Sequence, residues 1–265
     1  MPFTVSHVAA VLPLATGRPG RELWPAALVI GSMVPDLPYF VPPHRGSNWS
    51  HAASGPVTIN LALGLLVFAL WVLVLRRPLV DLAPRWLADR LPPPRSLSAV
   101  GWVQAGVSVV IGALTHVVWD SFTHPRRWGT DHLATLNRGL GPLPAYQWLQ
   151  YGSGVLGLLA LTVWTVLWVR SRRPRSISHR WALEARTRAW LSVAAAFVGA
   201  GTGYWGPAVI AGRAFDEPVV VRAVTGTISV TGAAVLAVCL LWQAGRVLSS
   251  DDRVVRERPT DRGQG

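Results

Sequence analysis

The segment THVVWDSFTH, residues 115–124, contains the residue types that bind metal ions. His116 and Asp120 are four positions apart, so on a helix both side chains project from one face and can share an ion. His124 lies eight residues, or about two turns, after His116. It can join the pair only if the helix ends before it, which the following Pro125 favours. For the pair taken alone, a hydrogen bond between helices explains the residues as well as a metal does.

Three other segments in the first half of the chain carry the same residue types. SHVAAVLP supplies His7, GSMVPDLPYF supplies Asp36, and PHRGSNWSHAASG supplies His44 and His51. Asp36 has a simpler alternative role, because aspartate often caps the helix that follows it. Taken together, the segments favour a divalent-metal site formed by His7, Asp36, His51, His116 and Asp120, with His44 and His124 as secondary candidates.

Nitrogen and carboxylate ligands without thiolates suit zinc best, with manganese or iron as alternatives. Such an ion makes its bound water acidic enough to attack an ester or an amide, so a metal-assisted hydrolase is the chemistry that these residues indicate. Asp36 and Asp120 are then the candidate catalytic carboxylates, as ligands or proton acceptors. Arg45 and Arg126 flank the site and could bind an anionic group of the substrate, although solvated flanking charges are the simpler interpretation.

The composition indicates a membrane protein. Hydrophobic residues make up 51% of the 265 residues and charged residues only 14%, where soluble domains carry about 25%. All 25 basic residues are arginines, and they lie in clusters between the apolar blocks. No basic and aromatic recognition motif accompanies them, so we expect membrane lipids as partners and no nucleic acid.

Five apolar stretches are long enough to cross a bilayer as helices: 56–75, 100–122, 152–169, 190–212 and 223–244. Residues 23–41 are also apolar but contain three prolines and an aspartate, which predicts a broken, re-entrant or interfacial element. His7 can reach the other candidate ligands only if this element does not cross fully. The sequence therefore predicts an all-α integral membrane protein with five spans and this N-terminal element.

Arginine distribution predicts the orientation. Loops 76–99 and 170–189 and the tail are richer in arginine than the loops between them, which marks the rich side as cytoplasmic. We expect a bacterial inner-membrane protein with the site on the outer face and the C-terminus in the cytoplasm. Residues 1–248 form a single membrane domain, and the polar residues 249–265 are predicted to be a disordered tail.

The order of these motifs resembles a domain-of-unknown-function family of bacterial membrane proteins, related to inner-membrane proteins described as metal-dependent hydrolases. The resemblance covers residues 1–135 and rests on Ser6-His7, Pro35-Asp36, His44-Arg45-Gly46 with His51, and His116 with Asp120. It implies a metal-dependent hydrolase whose ligands come from the histidines and aspartates of these motifs. The sequence departs from the pattern of that wider group in two ways that concern the ligand set. Pro38 stands where the group often has a second acidic residue after Pro-Asp, and the spacing from His44 to His51 is longer than in the group.

The sequence-based hypothesis is thus a membrane-bound hydrolase that acts on a lipid or envelope-associated substrate. Two other classes stay open. In a transporter or channel the same polar residues in broken helices would line a path for an ion. In a non-enzymatic scaffold the arginine-rich loops would bind anionic lipid or a partner, and the candidate ligands would be replaceable without loss.

Overall fold

Five apolar helices in the structure are long enough to cross a membrane. In the computed structural model, which describes residues 4–15, 23–41, 48–94, 96–175 and 181–256, these helices are Ile59–Leu82, Ala99–His132, Ala145–Ser171, Leu183–Ile210 and Pro218–Arg246. Each of them coincides with one predicted span. The chain is 79% helical with almost no strand, which confirms the predicted all-α membrane class.

The described helices in chain order are α1 (Val8–Ala15), α2 (Pro25–Met33), α3 (Ile59–Leu70), α4 (Arg76–Leu82), α5 (Arg85–Ala88), α6 (Ala99–Thr123), α7 (Trp128–His132), α8 (Ala145–Ser171), α9 (Leu183–Ile210) and α10 (Glu217–Arg256). A π-helical turn, Trp71–Leu75, joins α3 and α4 into one span. Strands β1 (Gly139–Leu140) and β2 (Leu143–Pro144) pair antiparallel before α8. Short 3₁₀ turns precede α1 (Thr4–His7) and follow α2 (Val34–Tyr39).

The N-terminal element consists of two short helices. Helix α1 has 8 residues and α2 has 9, so each is about 12–14 Å long, less than half of a hydrocarbon core of about 30 Å. Helix α2 stops at Met33, where a proline-containing 3₁₀ turn replaces it. The two helices pack against each other, and Thr4 before α1 reaches Asp36 after α2. The predicted break is confirmed, while the choice between a re-entrant and an interfacial element stays a prediction.

Helix α2 packs against α6 with almost no space between their backbones. A Cβ atom added to Gly31 would lie 2.3 Å from the Val109 carbonyl oxygen, and one added to Gly112 would lie 2.4 Å from the Leu28 carbonyl oxygen. Small residues at such crossings allow membrane helices to approach closely, where dispersion contacts stabilise the pair. This contact holds the end of α2, and therefore Asp36, against α6.

The hairpin of α9 and α10 is joined to the other helices mainly at the end of the spans opposite Asp36. There the buried Asp81 carboxylate accepts a hydrogen bond from Trp242 Nε1 at 2.7 Å, and Trp190 Nε1 donates to the Leu82 carbonyl at 2.9 Å. Arg186 also donates to a backbone carbonyl, that of Ala83. At the other end Ser229 donates to the Phe40 carbonyl. Polar contacts of this kind link helices whose apolar faces are exposed to lipid.

Helix α10 continues to Arg256, into the segment that the sequence predicts to be disordered from residue 249. Residues 257–265 lie outside the described residues, so the predicted disorder of that part of the tail stays a prediction.

Candidate metal centre

Helix α6 presents His116 and Asp120 on one face, as their spacing predicted. Both are buried, with 0% of His116 and 5% of Asp120 exposed. The helix ends at Thr123, and His124 has extended backbone angles before Pro125. The predicted ending is therefore confirmed, and it turns the His124 ring back towards Asp120.

Asp36 and His51 reach the same place from two other parts of the chain. The turn after α2 carries Asp36, which the contact between α2 and α6 brings beside His116. His51 precedes α3, and two buried hydrogen bonds fix its neighbour Ser50. Ser50 Oγ donates to the Pro35 carbonyl at 2.7 Å, and Asn60 Nδ2 donates to the Ser50 carbonyl at 2.7 Å.

The four side chains place one ligand-type atom each around a common point. His51 Nε2 lies 3.3 Å from Asp36 Oδ1 and 3.3 Å from Asp120 Oδ2. His116 Nε2 lies 3.5 Å from Asp36 Oδ1 and 3.4 Å from Asp120 Oδ2. All four atoms are within 4.8 Å of one another, and all four residues are buried.

These distances fit metal coordination better than hydrogen bonding. A tetrahedron with bonds of about 2.1 Å, as at zinc, has edges of about 3.4 Å. Hydrogen bonds from a charged imidazole to a carboxylate are shorter, about 2.7–2.9 Å. Two of the four converging atoms, His116 Nε2 and Asp36 Oδ1, are fully buried and have no hydrogen-bond partner. Since buried polar atoms normally have partners, their state indicates a cation-binding position.

Backbone and hydroxyl groups fix the orientation of both histidines. His116 Nδ1 lies 2.8 Å from the Ser32 carbonyl oxygen, which can only accept, so Nδ1 carries the hydrogen. His51 Nδ1 lies 3.0 Å from Ser50 Oγ, whose own hydrogen is donated to Pro35. In each neutral ring Nε2 therefore keeps its lone pair and faces the carboxylates. Metal-binding histidines are held in this way by the hydrogen bond of the other ring nitrogen.

His7 and His124 lie beside this group, on the other oxygen of Asp120. His7 Nε2 and His124 Nδ1 are each 3.4 Å from Asp120 Oδ1. The His7 ring stacks on the His116 ring with centroids 3.9 Å apart. The four atoms that converge come from Asp36, His51, His116 and Asp120. His7 lies beside this group, and its predicted role as a ligand stays a prediction.

Burial and facing charges shift the pKa values of the residues that lie outside the spans. Burial lowers the pKa of His7 to about 4, and the His116 ring acts in the same direction, so His7 is neutral at pH 7. Burial alone would raise the pKa of Asp36, but the facing His116 and His51 rings bring it well below its usual range. For His51, burial lowers the pKa and the carboxylates of Asp120 and Asp36 raise it by more. The same negative charges that favour a proton on Nε2 favour a metal ion there.

A small polar cavity opens beside Asp120. Its volume is about 30 Å³, and its lining includes Thr4, His7, Asp120, His124 and Gln150. A water molecule needs at least about 10–15 Å³ and two to four polar partners, and this cavity provides both. A water molecule can therefore fit beside the Asp120 carboxylate, between the two flanking histidines.

Two larger grooves have volumes of about 540 and 460 Å³, but they do not contain the candidate ligands. The first lies beside Trp49 and Ile59, and the second lies between the span of α3 and α4 and the hairpin of α9 and α10. Their linings are mostly apolar and include no charged side chain. The smaller cavity is lined by the candidate ligands His7, Asp36 and Asp120.

Three candidates from the sequence lie outside this arrangement. His44 and Arg45 are outside the described residues, so their predicted roles stay predictions. Arg126 is exposed in the turn after α6 and has a left-handed backbone with φ of 56°. Its predicted role in binding substrate is likewise untested.

Sequence reasoning missed the residues that hold the ligands in place. Thr4 Oγ1 donates to Asp36 Oδ2 at 2.7 Å, and Gln150 on α8 contacts His124. Ser50 and Asn60 position His51. Ser50 could have been noticed because it adjoins a candidate ligand. Nothing in the local sequence connects Gln150 or Asn60 with the site.

A model of the family described as "Domain of unknown function (DUF4184)" matches residues 1–246. The match extends over all five spans, further than the first half of the chain in which the motifs lie. No curated protein and no solved structure matches the sequence. The comparisons therefore give a family without an activity.

Proposed function

We propose that the chain, which belongs to the DUF4184 family, is a membrane-bound, metal-dependent hydrolase. The observation that supports this best is the set of four buried nitrogen and oxygen atoms whose facing distances of 3.3–3.5 Å fit a tetrahedral ion. Asp36, His51, His116 and Asp120 would hold the metal, with zinc favoured and manganese or iron as alternatives. Bound there, the metal would supply a water molecule acidic enough to act as a nucleophile.

The residues around the cavity have separate tasks in this proposal. Asp36 and Asp120 each direct one oxygen at the ion position, which makes the carboxylates ligands. His7 is neutral at pH 7 and faces the cavity beside Asp120, so its ring would hydrogen-bond a water molecule there. Arg126, together with Arg45 from outside the described residues, would bind an anionic group of the substrate.

The substrate is proposed to be a lipid or another envelope-associated molecule. The site lies at one end of the spans, and exposed Trp128 and Trp148 flank it in the sequence around the loop between α6 and α8. Tryptophan rings of this kind settle at the headgroup level of a bilayer. A molecule with its scissile bond near the headgroups would therefore reach the cavity without entering the hydrocarbon.

The location rests on the arginine distribution. The arginine-rich loops lie at the end of the spans opposite the proposed centre, and by the positive-inside rule this supports a location of the centre on the outer face of a bacterial inner membrane. A fluorescent protein fused after residue 265 should fluoresce, and an alkaline phosphatase fusion at the same position should be inactive. The reverse pair of results would indicate that the site faces the cytoplasm.

Metal content of the detergent-purified protein is the direct test. We expect bound zinc or manganese in the parent, and its loss in His116→Ala and Asp120→Asn with folding retained on size-exclusion chromatography. His132→Ala is the matched control, because His132 is an exposed histidine that bonds to the Trp128 carbonyl and not to the centre. Ester and phosphodiester substrates in mixed micelles would then be screened with the parent and Asp120→Asn. A metal-free parent after reconstitution would refute the proposal.

The transporter alternative keeps one observation in its favour. The break between α2 and its 3₁₀ turn places the buried Asp36 at the end of a half-helix, as in many ion-coupled carriers. Ion flux into proteoliposomes that requires Asp36 and Asp120, without hydrolytic activity, would favour this function.

A further inference from the structure

We propose that Gln150 on α8 is a positioning residue that fixes the tautomer of His124 and, through it, the orientation of the metal ligand Asp120. This inference rests on the proposed metal centre. It concerns a residue that contacts neither the four ligand atoms nor the position of the ion.

The contact between Gln150 and His124 determines which ring nitrogen carries the hydrogen. Gln150 Nε2 lies 2.9 Å from His124 Nε2. An amide nitrogen only donates, so the ring nitrogen must accept with its lone pair. In the neutral ring the hydrogen is then on Nδ1.

That hydrogen faces Asp120. His124 Nδ1 lies 3.2 Å from Thr123 Oγ1 and 3.4 Å from Asp120 Oδ1. The Thr123 hydroxyl can donate to the Trp119 carbonyl at 3.3 Å, which leaves its oxygen free to accept. The N–H group thus directs the positive end of its bond dipole at a buried carboxylate oxygen that has no hydrogen bond of its own.

The arrangement assigns different roles to the two oxygens of Asp120. Oδ2 faces His51 and His116 at the ion position, while Oδ1 faces the N–H of His124. With the opposite tautomer, a lone pair on His124 Nδ1 would face the negative oxygen and repel it. Outer groups that orient ligands in this way typically change metal affinity by about 10–100-fold.

Helix α8 therefore takes part in the centre although it contributes no ligand. Ser6 packs on α8 at Gly157, where an added Cβ would lie 2.8 Å from the Ser6 carbonyl oxygen. Trp119 Nε1 bonds to Ser153 Oγ at 3.1 Å, so α8 is also tied to α6 next to Gln150. These contacts hold the amide at a fixed distance from the His124 ring.

The test combines metal affinity with a direct measurement of the tautomer. Zinc affinity would be measured by chelator competition for the parent and for the Gln150→Leu, His124→Ala and His124→Asn variants. We expect losses of about 10–100-fold for Gln150→Leu and His124→Ala, with unchanged stoichiometry. His124→Asn should bind within about threefold of the parent, because an asparagine amide can place an N–H where Nδ1 stands. Gln147→Leu, a glutamine on the same helix, is the control.

Nitrogen-15 NMR of histidine-labelled protein reports the tautomer itself. The parent should show His124 with hydrogen on Nδ1, and Gln150→Leu should move the population towards Nε2–H. Unchanged affinity in Gln150→Leu, or hydrogen on Nε2 in the parent, would refute the inference and leave the metal centre intact. Two metal equivalents in the parent, one of them lost in His124→Ala, would also refute it, because His124 would then be a ligand. A parent that binds no metal would instead refute the proposed function.

Discussion

The contact between α2 and α6 predicts that a single methyl group can disrupt the proposed metal centre. In Gly112→Ala the new Cβ would lie 2.4 Å from the Leu28 carbonyl oxygen and 2.7 Å from the Ser32 amide nitrogen. Ordinary contact begins at 3.4 Å, and the obstructing atoms belong to a backbone that cannot rotate away. The two helices must therefore separate by about 1 Å at this point.

His116 is one turn after Gly112, so the separation acts directly on the site. The hydrogen bond from His116 Nδ1 to the Ser32 carbonyl, now 2.8 Å, would become longer than the limit of about 3.2 Å for such bonds. The distance from His116 Nε2 to Asp36 Oδ1 is now 3.5 Å and would increase. An increase of about 1 Å is more than metal–ligand bonds tolerate, since their lengths vary by only about 0.2 Å. We expect zinc affinity to fall by about 10–100-fold, the loss that typically follows when the groups that orient metal ligands are disturbed.

Gly106→Ala provides the matched control on the same helix. An added Cβ at Gly106 would meet only Leu61 Cδ1 at 3.6 Å, which is an ordinary contact. Both substitutions raise helix propensity by about 1 kcal/mol, so a difference between them reports the contact with α2. Chelator competition gives the zinc affinity, and size-exclusion chromatography confirms folding. Equal affinities in the two variants would show that the spacing of α2 and α6 does not control the centre.

Three other changes test separate parts of the structure. Ser50→Ala removes the acceptor for His51 Nδ1–H, so zinc affinity should fall about 10-fold in the same competition assay; unchanged affinity would contradict the assigned orientation of the ring. Acidification from pH 7 to 5 should release the metal, because a histidine binds a metal ion only as the neutral imidazole. The pKa of His51 is raised, so protons begin to compete with the metal at a higher pH than for an ordinary histidine. Equal metal retention in dialysis at both pH values would refute this. Asp81→Leu removes the acceptor of the Trp242 hydrogen bond at the end of the spans opposite Asp36. Thermal unfolding should show a stability loss of about 1–3 kcal/mol, with metal content unchanged. Loss of metal would mean that the two ends of the spans are coupled.

The sequence by itself determined the membrane class and the number of spans. Apolar blocks of about 20 residues have no alternative to helices in a bilayer, so composition and length decide these features. The break in the N-terminal element was also readable, because Pro35 and Pro38 interrupt any helix through Asp36. The pairing of His116 with Asp120 followed from helical periodicity alone.

Only the tertiary structure decided which residues meet and by which atoms. His51, Asp36 and His116 come from segments far apart in the chain, and their convergence depends on the close crossing at Gly31 and Gly112. Glycines are common in membrane helices, so the sequence did not distinguish these two from glycines that face lipid.

The same reason explains why His7 and Gln150 could not be assigned in advance. A spacing rule works within one helix, whereas these two residues reach Asp120 and His124 across helix contacts that no local pattern encodes. Hydrogen-bond direction is likewise a property of the assembled site, since the tautomer of each histidine depends on the group opposite its other nitrogen. The sequence supplied the ligand types, and the packing of α2, α6 and α8 decided their roles.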